Sequence, residues 1–214
     1  MFASDANTEF FSLNREIFIK NCYTNNKNIS LKECLLVIDQ PLSVNEVLRH
    51  IQHDFLNQLQ LIKMNLALDH VEEANQLVDQ LSTKYQRFSI INGLKCAHLI
   101  EWLQTCQWRF PSITITMESD ISDSAPTEWD VPLRNYLESS LQSVHETIDP
   151  FVEQNCHIYV MSTKQKVEIA VEMKGHFEKS DFSIPIQSED LSVIHEEYSD
   201  TVWRYRVIGS KEGK

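Results

Sequence analysis

Residues 43–69 read SVNEVLRHIQHDFLNQLQLIKMNLALD, and the spacing of their apolar side chains decides how this part of the chain folds. Ser43 with Glu46 three residues on has the form of a capping box, in which each side chain satisfies an amide donor orphaned at a helix start. Val44, Val47, Leu48, Ile51, Phe55, Leu59, Ile62 and Leu66 then recur at steps of three and four, painting one apolar stripe along a helix. His53 is off that stripe. At about 100° per residue it lies about 200° from both Ile51 and Phe55, on the face of Glu46, Arg49, Asn57 and Gln60. A histidine buried for packing would sit in the stripe, so this imidazole is expected to reach water or a partner.

The helical period resumes after Asp69 and His70 with Ala74, Leu77, Val78, Leu81, Tyr85, Phe88 and Ile91, and stops at Asn92-Gly93. Two antiparallel helices on so short a link bury little apolar surface by themselves. A homodimer of hairpins closing a four-helix bundle is the simplest solution, with His53 on the outside of the bundle.

The run His53-Asp54-Phe55-x-Asn57-x-Leu59-Gln60-Leu61-Ile62-x-x-Asn65-Leu66 resembles the phosphoacceptor helix of the sporulation-initiation phosphotransferases. A looser form of the pattern occurs in the dimerisation helices of citrate- and fumarate-type sensor histidine kinases. The resemblance runs from about Val44 to the chain end, close in the hairpin and faint after Gly93, and leaves residues 1–42 outside it. It implies three parts: an N-terminal extension over 1–42, a hairpin for dimerisation and histidine phosphotransfer over 43–93, and a degenerate kinase-like α/β domain over 94–214.

Composition narrows the classes. The 214 residues, 42% of them hydrophobic, can bury a real core. A net charge of −12 would be repelled by a nucleic-acid backbone or an anionic membrane, so neither is expected as a partner. Cys22, Cys34, Cys96, Cys106 and Cys156 are odd in number and widely spaced, which suits reduced thiols in the cytoplasm. The first residues lack a basic region followed by an apolar run, so no signal peptide is expected.

Before the hairpin, 14–22 reads as a short helix and 33–39 as a strand or a helix turn. After Gly93, 94–110 reads as a helix and 112–118 as a half-buried strand that alternates Ile113, Ile115 and Met117 with threonines. Helical spacing returns over 128–148 through Leu133, Leu137, Leu141 and Val144. Segments 157–161 and 166–173 alternate again around a turn at 162–165, 189–198 reads as a short helix, and 201–208 as a last strand. Helices and strands in this order give an α+β sandwich, a sheet with helices against one face.

The resemblance implies that this second domain has the plan of a histidine-kinase ATPase domain without its chemistry. The run LRNYLESSLQSV (133–144) stands where such kinases carry two asparagines, the second a magnesium ligand; Asn135 is kept and Ser139 replaces the ligand. Met173-Lys174-Gly175-His176-Phe177 stands where an Asp-x-Gly-x-Gly turn would hold adenine. With only Gly93, Gly175, Gly209 and Gly213 in the chain, no glycine-rich phosphate cradle is built. The protein is therefore expected to carry no cofactor of its own, with Mg2+ supplied by a docked response-regulator domain.

The resemblance makes His53 the phosphoryl acceptor, passing the group between aspartates of two response regulators. Asp54 either tunes the imidazole or is a plain solvated acid. Asn57 orients the ring or donates to the phosphoryl group, or is a polar surface position. Arg49 can pair with an incoming phosphate, and Leu56, Gln60 and Lys63 continue the face as docking contacts. His50 and His53 make half a metal site with no third ligand. The competing reading is a non-catalytic kinase-like dimer that binds regulators or kinases; an ATP-dependent kinase is disfavoured by the missing glycines.

Overall fold

The computed structural model describes residues 43–147, 152–176 and 184–211. The elements expected over 14–22 and 33–39 lie outside them. Asn45–Lys214 form one compact unit.

Helices α1 (Val44–Ala67) and α2 (Val71–Ile91) are the two arms of the hairpin. Asp69 turns the chain with φ of 60°, a left-handed conformation that Asp tolerates better than most residues. The His70 N–H then donates to the Asn65 carbonyl at 2.9 Å, satisfying a group orphaned at the end of α1. Helix α2 ends at Ile91, immediately before Asn92-Gly93, and a single 3-10 turn (Asn92–Leu94) leads out of it.

Within the hairpin the two stripes divide in a way the sequence did not show. On α2, Ala74, Leu77, Leu81, Lys84, Phe88 and Ile91 are withdrawn from solvent and every other residue is exposed. Their steps alternate three and four, the spacing of a helix-helix seam. Val78 and Tyr85, expected in the apolar stripe, are exposed, and Lys84 takes the seam position instead. On α1 no residue is fully buried. Val47, His50, Asp54, Leu61 and Asn65 are among those half-buried, whereas Leu48, Ile51, Phe55, Leu59 and Leu66 remain 41–51% exposed.

The rest is a two-layer α+β sandwich. Helix α3 (Ala97–Arg109) and helix α4 (Asp130–Thr147) accompany a five-stranded sheet of order β1-β2-β3-β5-β4. The strands are β1 (Ile113–Ile121), β2 (Gln154–Ser162), β3 (Lys166–Lys174), β4 (Leu191–Tyr198) and β5 (Val202–Ser210). Strand β1 runs parallel to β2, which requires a crossover, and α4 supplies it; the other neighbours are antiparallel. Thr163 N–H donates to the Lys166 carbonyl at 2.9 Å in the expected turn between β2 and β3.

Alternation sets the two faces of the sheet. Ile158 and Val160 of β2, Ile169 and Val171 of β3, and Trp203, Tyr205 and Val207 of β5 enter the core with Leu99, Trp102 and Leu103 of α3 and Leu133, Leu137 and Leu141 of α4. The opposite face is polar. Glu168 lies 2.6 Å from Lys166 Nζ and 3.4 Å from Arg206 Nη1, and Glu172 lies between Lys174 and Arg204.

One expected element is overturned. The segment expected as a short helix over 189–198 instead forms strand β4 from Leu191 to Tyr198: Leu191, Val193 and His195 pair with Gly209, Val207 and Tyr205 of β5, and a bulge follows between His195 and Glu197. Periodicity over so short a run does not separate helix from strand, and the ladder offered by β5 decides.

Candidate functional site

The helical surface of α1 presents His53 outward, with 61% of its side chain exposed. Asn57, one turn on, brings its Nδ2 to 3.3 Å from His53 Nδ1 and 3.5 Å from Nε2. Asp54 Oδ1 stands 3.6 Å from Nδ1, beyond hydrogen-bond length. The structure thus brings together three of the residues singled out in the sequence: His53, Asp54 and Asn57.

The remaining four are arrayed along the same helix without touching the ring. Arg49, Leu56, Gln60 and Lys63 are exposed, and among the described residues none hydrogen-bonds or ion-pairs with His53. They form a mixed apolar and basic surface about the imidazole.

His50 is committed elsewhere. Its ring stacks on Trp108 of α3 with centroids 5.7 Å apart and planes 13° from parallel. Burial, with the nearby Arg49 charge acting in the same direction, lowers its pKa from the ordinary value. This contact joins α1 to the α/β domain three residues before His53. Trp108 is not among the residues singled out in the sequence, and nothing in the local pattern points to its partner. Lys84 was also missed, although the steps from Ala74 to Ile91 contain it.

Residues 36–94 match the family model of the Sensor kinase SpoOB-type, alpha-helical domain. The resemblance of the hairpin to the sporulation-initiation phosphotransferases is therefore borne out. The Sporulation initiation phosphotransferase B of Bacillus subtilis (strain 168) is 31% identical over 72 residues, a match covering 34% of this chain and 38% of that protein. Among solved structures, the Acinetobacter baumannii histidine kinase AdeS is similar over 75% of this chain and 98% of its own, with 7% identity and a TM-score of 0.39. The histidine kinase ThkA in complex with response regulator protein TrrA is similar over 92% of this chain and 67% of its own, with 13% identity and a TM-score of 0.37.

The residues compared in the sequence with kinase nucleotide contacts lie on α4 and at the end of β3. On α4, Asn135 Oδ1 accepts from Arg134 Nη1 at 3.0 Å, and Ser139 is exposed. At the end of β3 the Gln154 side chain lies against Gly175, so near that a Cβ there would fall 1.4 Å from Oε1. That oxygen accepts from the His176 N–H at 3.2 Å. Between α4 and the sheet, Ser140 Oγ and Tyr205 OH are 2.6 Å apart, and Tyr136 meets Tyr205 edge to face at 5.5 Å. All three side chains are buried. Among the described residues, no helix is long and apolar enough to cross a membrane.

Proposed function

We propose that the protein is a cytoplasmic histidine phosphotransferase that relays a phosphoryl group between aspartates of two response regulators in a sporulation-type phosphorelay, through phospho-His53. The observation that carries this reading is the outward imidazole of His53, flanked by Asp54 and Asn57, on a hairpin of the SpoOB type. In the first step the lone pair of His53 Nε2, the ring nitrogen remote from the backbone, attacks phosphorus of an aspartyl phosphate. The N–P bond forms as the acyl O–P bond breaks, and the regulator's aspartate leaves as a carboxylate. In the second step an aspartate oxygen of the other regulator attacks phosphorus, and the N–P bond breaks. Positioning and charge neutralisation supply most of the acceleration in such transfers.

Mg2+ held by the docked regulator would neutralise the phosphoryl oxygens, with Arg49 adding a charge-assisted donor. Leu56, Gln60 and Lys63 would make the docking contacts. Two hairpins in a homodimer would bury the exposed apolar row of α1 and leave His53 outside. The scarcity of glycine in the sequence, which leaves no glycine-rich phosphate cradle, supports relay without ATP-driven autophosphorylation.

The test is to incubate the protein with a labelled phospho-receiver domain. Acid-labile, base-stable label should appear on His53 and pass to a second receiver, and His53→Gln should abolish it while docking persists. Transfer that survives His53→Gln, or labelling by ATP alone, would overturn the proposal.

A further inference from the structure

Helix α2 is rooted in the core of the α/β domain, and α1 is not. Ile91 at the end of α2 and Leu94 just beyond it are buried in the same core as the sheet, and the Leu94 carbonyl accepts the Ala125 N–H at 2.9 Å. One turn earlier on α2, Arg87 Nη2 lies 3.9 Å from Glu118 Oε1 of β1. Helix α1 has no fully buried residue along its 24 positions, so half-buried contacts set its rotation about its own axis. One of these reaches across to the domain. The His50 ring lies on that of Trp108, near the end of α3, at 5.7 Å and 13° from parallel, within the range of an offset stack. Trp102, Trp129 and Trp203 belong to the buried core, whereas Trp108 is half-buried and gives its ring to α1. His53 follows His50 by three residues, about 4.5 Å along α1 and about 60° round it. A side-chain tip about 6 Å from the helix axis moves by about 1 Å when the helix turns by about 10°. Misplacing reacting atoms by that much can cost about a hundredfold in rate.

We infer that Trp108 is a positioning residue for the phosphoacceptor: by seating the ring of His50 it fixes the rotation of α1, and with it the direction in which His53 meets a docked receiver domain. This rests on the phosphotransfer reading given above. Two flat rings so nearly parallel resist a turn of α1, because the turn opens a wedge between them or slides one off the other and forfeits their contact. Helix α3 is a firm base for the stack. Leu99, Trp102, Leu103 and Cys106 bury it in the core, and Arg109, next to Trp108, reaches Glu138 of α4 at 3.4 Å. Phosphoryl transfer needs the attacking and leaving atoms in line, so a fixed direction at His53 acts on the transfer step itself and not on the strength of docking. The α/β domain thereby serves the relay as a frame for α1.

The experiment follows single-turnover label transfer from a phospho-receiver domain against receiver concentration. The full chain is compared with Trp108→Leu, Trp108→Phe, His50→Ala and the double variant Trp108→Leu with His50→Ala. In Trp108→Leu, which fills the place without a ring to stack, the rate at saturating receiver should fall about fivefold, the population shift that loss of one aromatic pair allows. The half-saturating concentration should not move, which separates the transfer step from docking. Trp108→Phe keeps two rings and should transfer at the native rate. His50→Ala breaks the same stack from the side of α1 and should show the same loss, and Trp108→Leu should add nothing to it. Should one of the two fail to fold, the other decides. Native-state amide hydrogen exchange over 50–57 needs no phosphoryl group: it should quicken in Trp108→Leu and His50→Ala and stay native in Trp108→Phe. A native rate at saturation in the folded variants, a loss confined to the half-saturating concentration, or full additivity of the two substitutions overturns the inference. If the native protein transfers no label, the phosphotransfer reading fails and the exchange alone decides: quickened, Trp108 holds this turn of α1; unchanged, it does not.

Discussion

Asp130, in the first turn of α4, caps Leu99 in the first turn of α3, its Oδ1 accepting the Leu99 N–H at 2.7 Å. Its Oδ2 takes the His98 N–H at 3.1 Å and lies 2.9 Å from His98 Nδ1. One carboxylate thus satisfies two of the amides orphaned at the start of α3, and ties the two helices of the sandwich together. Burial alone would push the Asp130 carboxyl up, but the His98 side chain and the two amides outweigh it and hold the pKa below the ordinary value. A carboxylate lowered in the folded state contributes stability that is complete above its unfolded pKa of about 3.9 and is lost as pH falls through the folded value. Asp130→Ala should cost about 1–2 kcal/mol near neutral pH. In urea titrations the gap between native and variant should narrow as pH falls from about 5 to about 2, and a gap that stays constant would contradict this account.

Gly209 of β5 is pressed between two side chains. A Cβ there would lie 2.6 Å from Trp129 and 2.7 Å from Leu191, both of them buried. Gly209→Ala must therefore displace a tryptophan in a packed core, and should destabilise the α/β domain by about 1–3 kcal/mol. The near-ultraviolet circular dichroism of the tryptophans should change with it. Ser210→Ala, the neighbouring exposed position, should do neither.

The stack of His50 on Trp108 makes the junction between α1 and α3 sensitive to acid. Burial is the largest cause lowering the His50 pKa, with Arg49 and His53 adding to it and Asp54 and Glu46 opposing. Because the folded pKa lies below the unfolded value of about 6.5, the stability that neutral His50 contributes is complete above that value and is lost as pH falls towards the folded one. His50→Phe keeps a ring for the stack and cannot take a proton. Its stability should therefore decline less than that of the native protein between about pH 7.5 and about pH 5. Equal declines would show that His50 does not titrate against the contact.

What could be read beforehand follows from where the information lies. The hairpin was legible because its period, its Asn92-Gly93 stop and its link are local. The outward placement of His53 followed from the same helical geometry. The partition of the apolar residues was not legible, since a helix with a broad apolar face does not record which flank meets its sequence neighbour. That is why Tyr85 was read into the seam and Lys84 left out. Strand β4 was misread because Ser192, Ile194 and Glu196 alternate no more strongly than they satisfy a helix turn, and only pairing with β5 resolves them. His50 and Trp108 are 58 positions apart on different elements, and no local pattern connects them.

The exposed row of α1 sets the last expectation. Leu48, Ile51, Phe55, Leu59 and Leu66 follow steps of three, four, four and seven along one flank, distinct from the flank of the half-buried Val47, His50, Asp54 and Leu61. A run of such side chains on a two-helix hairpin is more apolar surface than a lone hairpin leaves in water without consequence, and self-association about a two-fold axis would cover it with its own copy. Phe55 stands at the middle of the row and about 200° around the helix from His53. Phe55→Glu should therefore halve the mass seen by light scattering by placing like charges face to face across the axis. His53 itself should remain accessible, so a receiver domain should still bind the monomer, although more weakly if both hairpins of a dimer contribute to docking. Leu56→Glu, on the His53 side, should leave the mass unchanged and weaken receiver binding. Should Phe55→Glu keep the native mass, the exposed row would have to serve something other than a second copy of this chain.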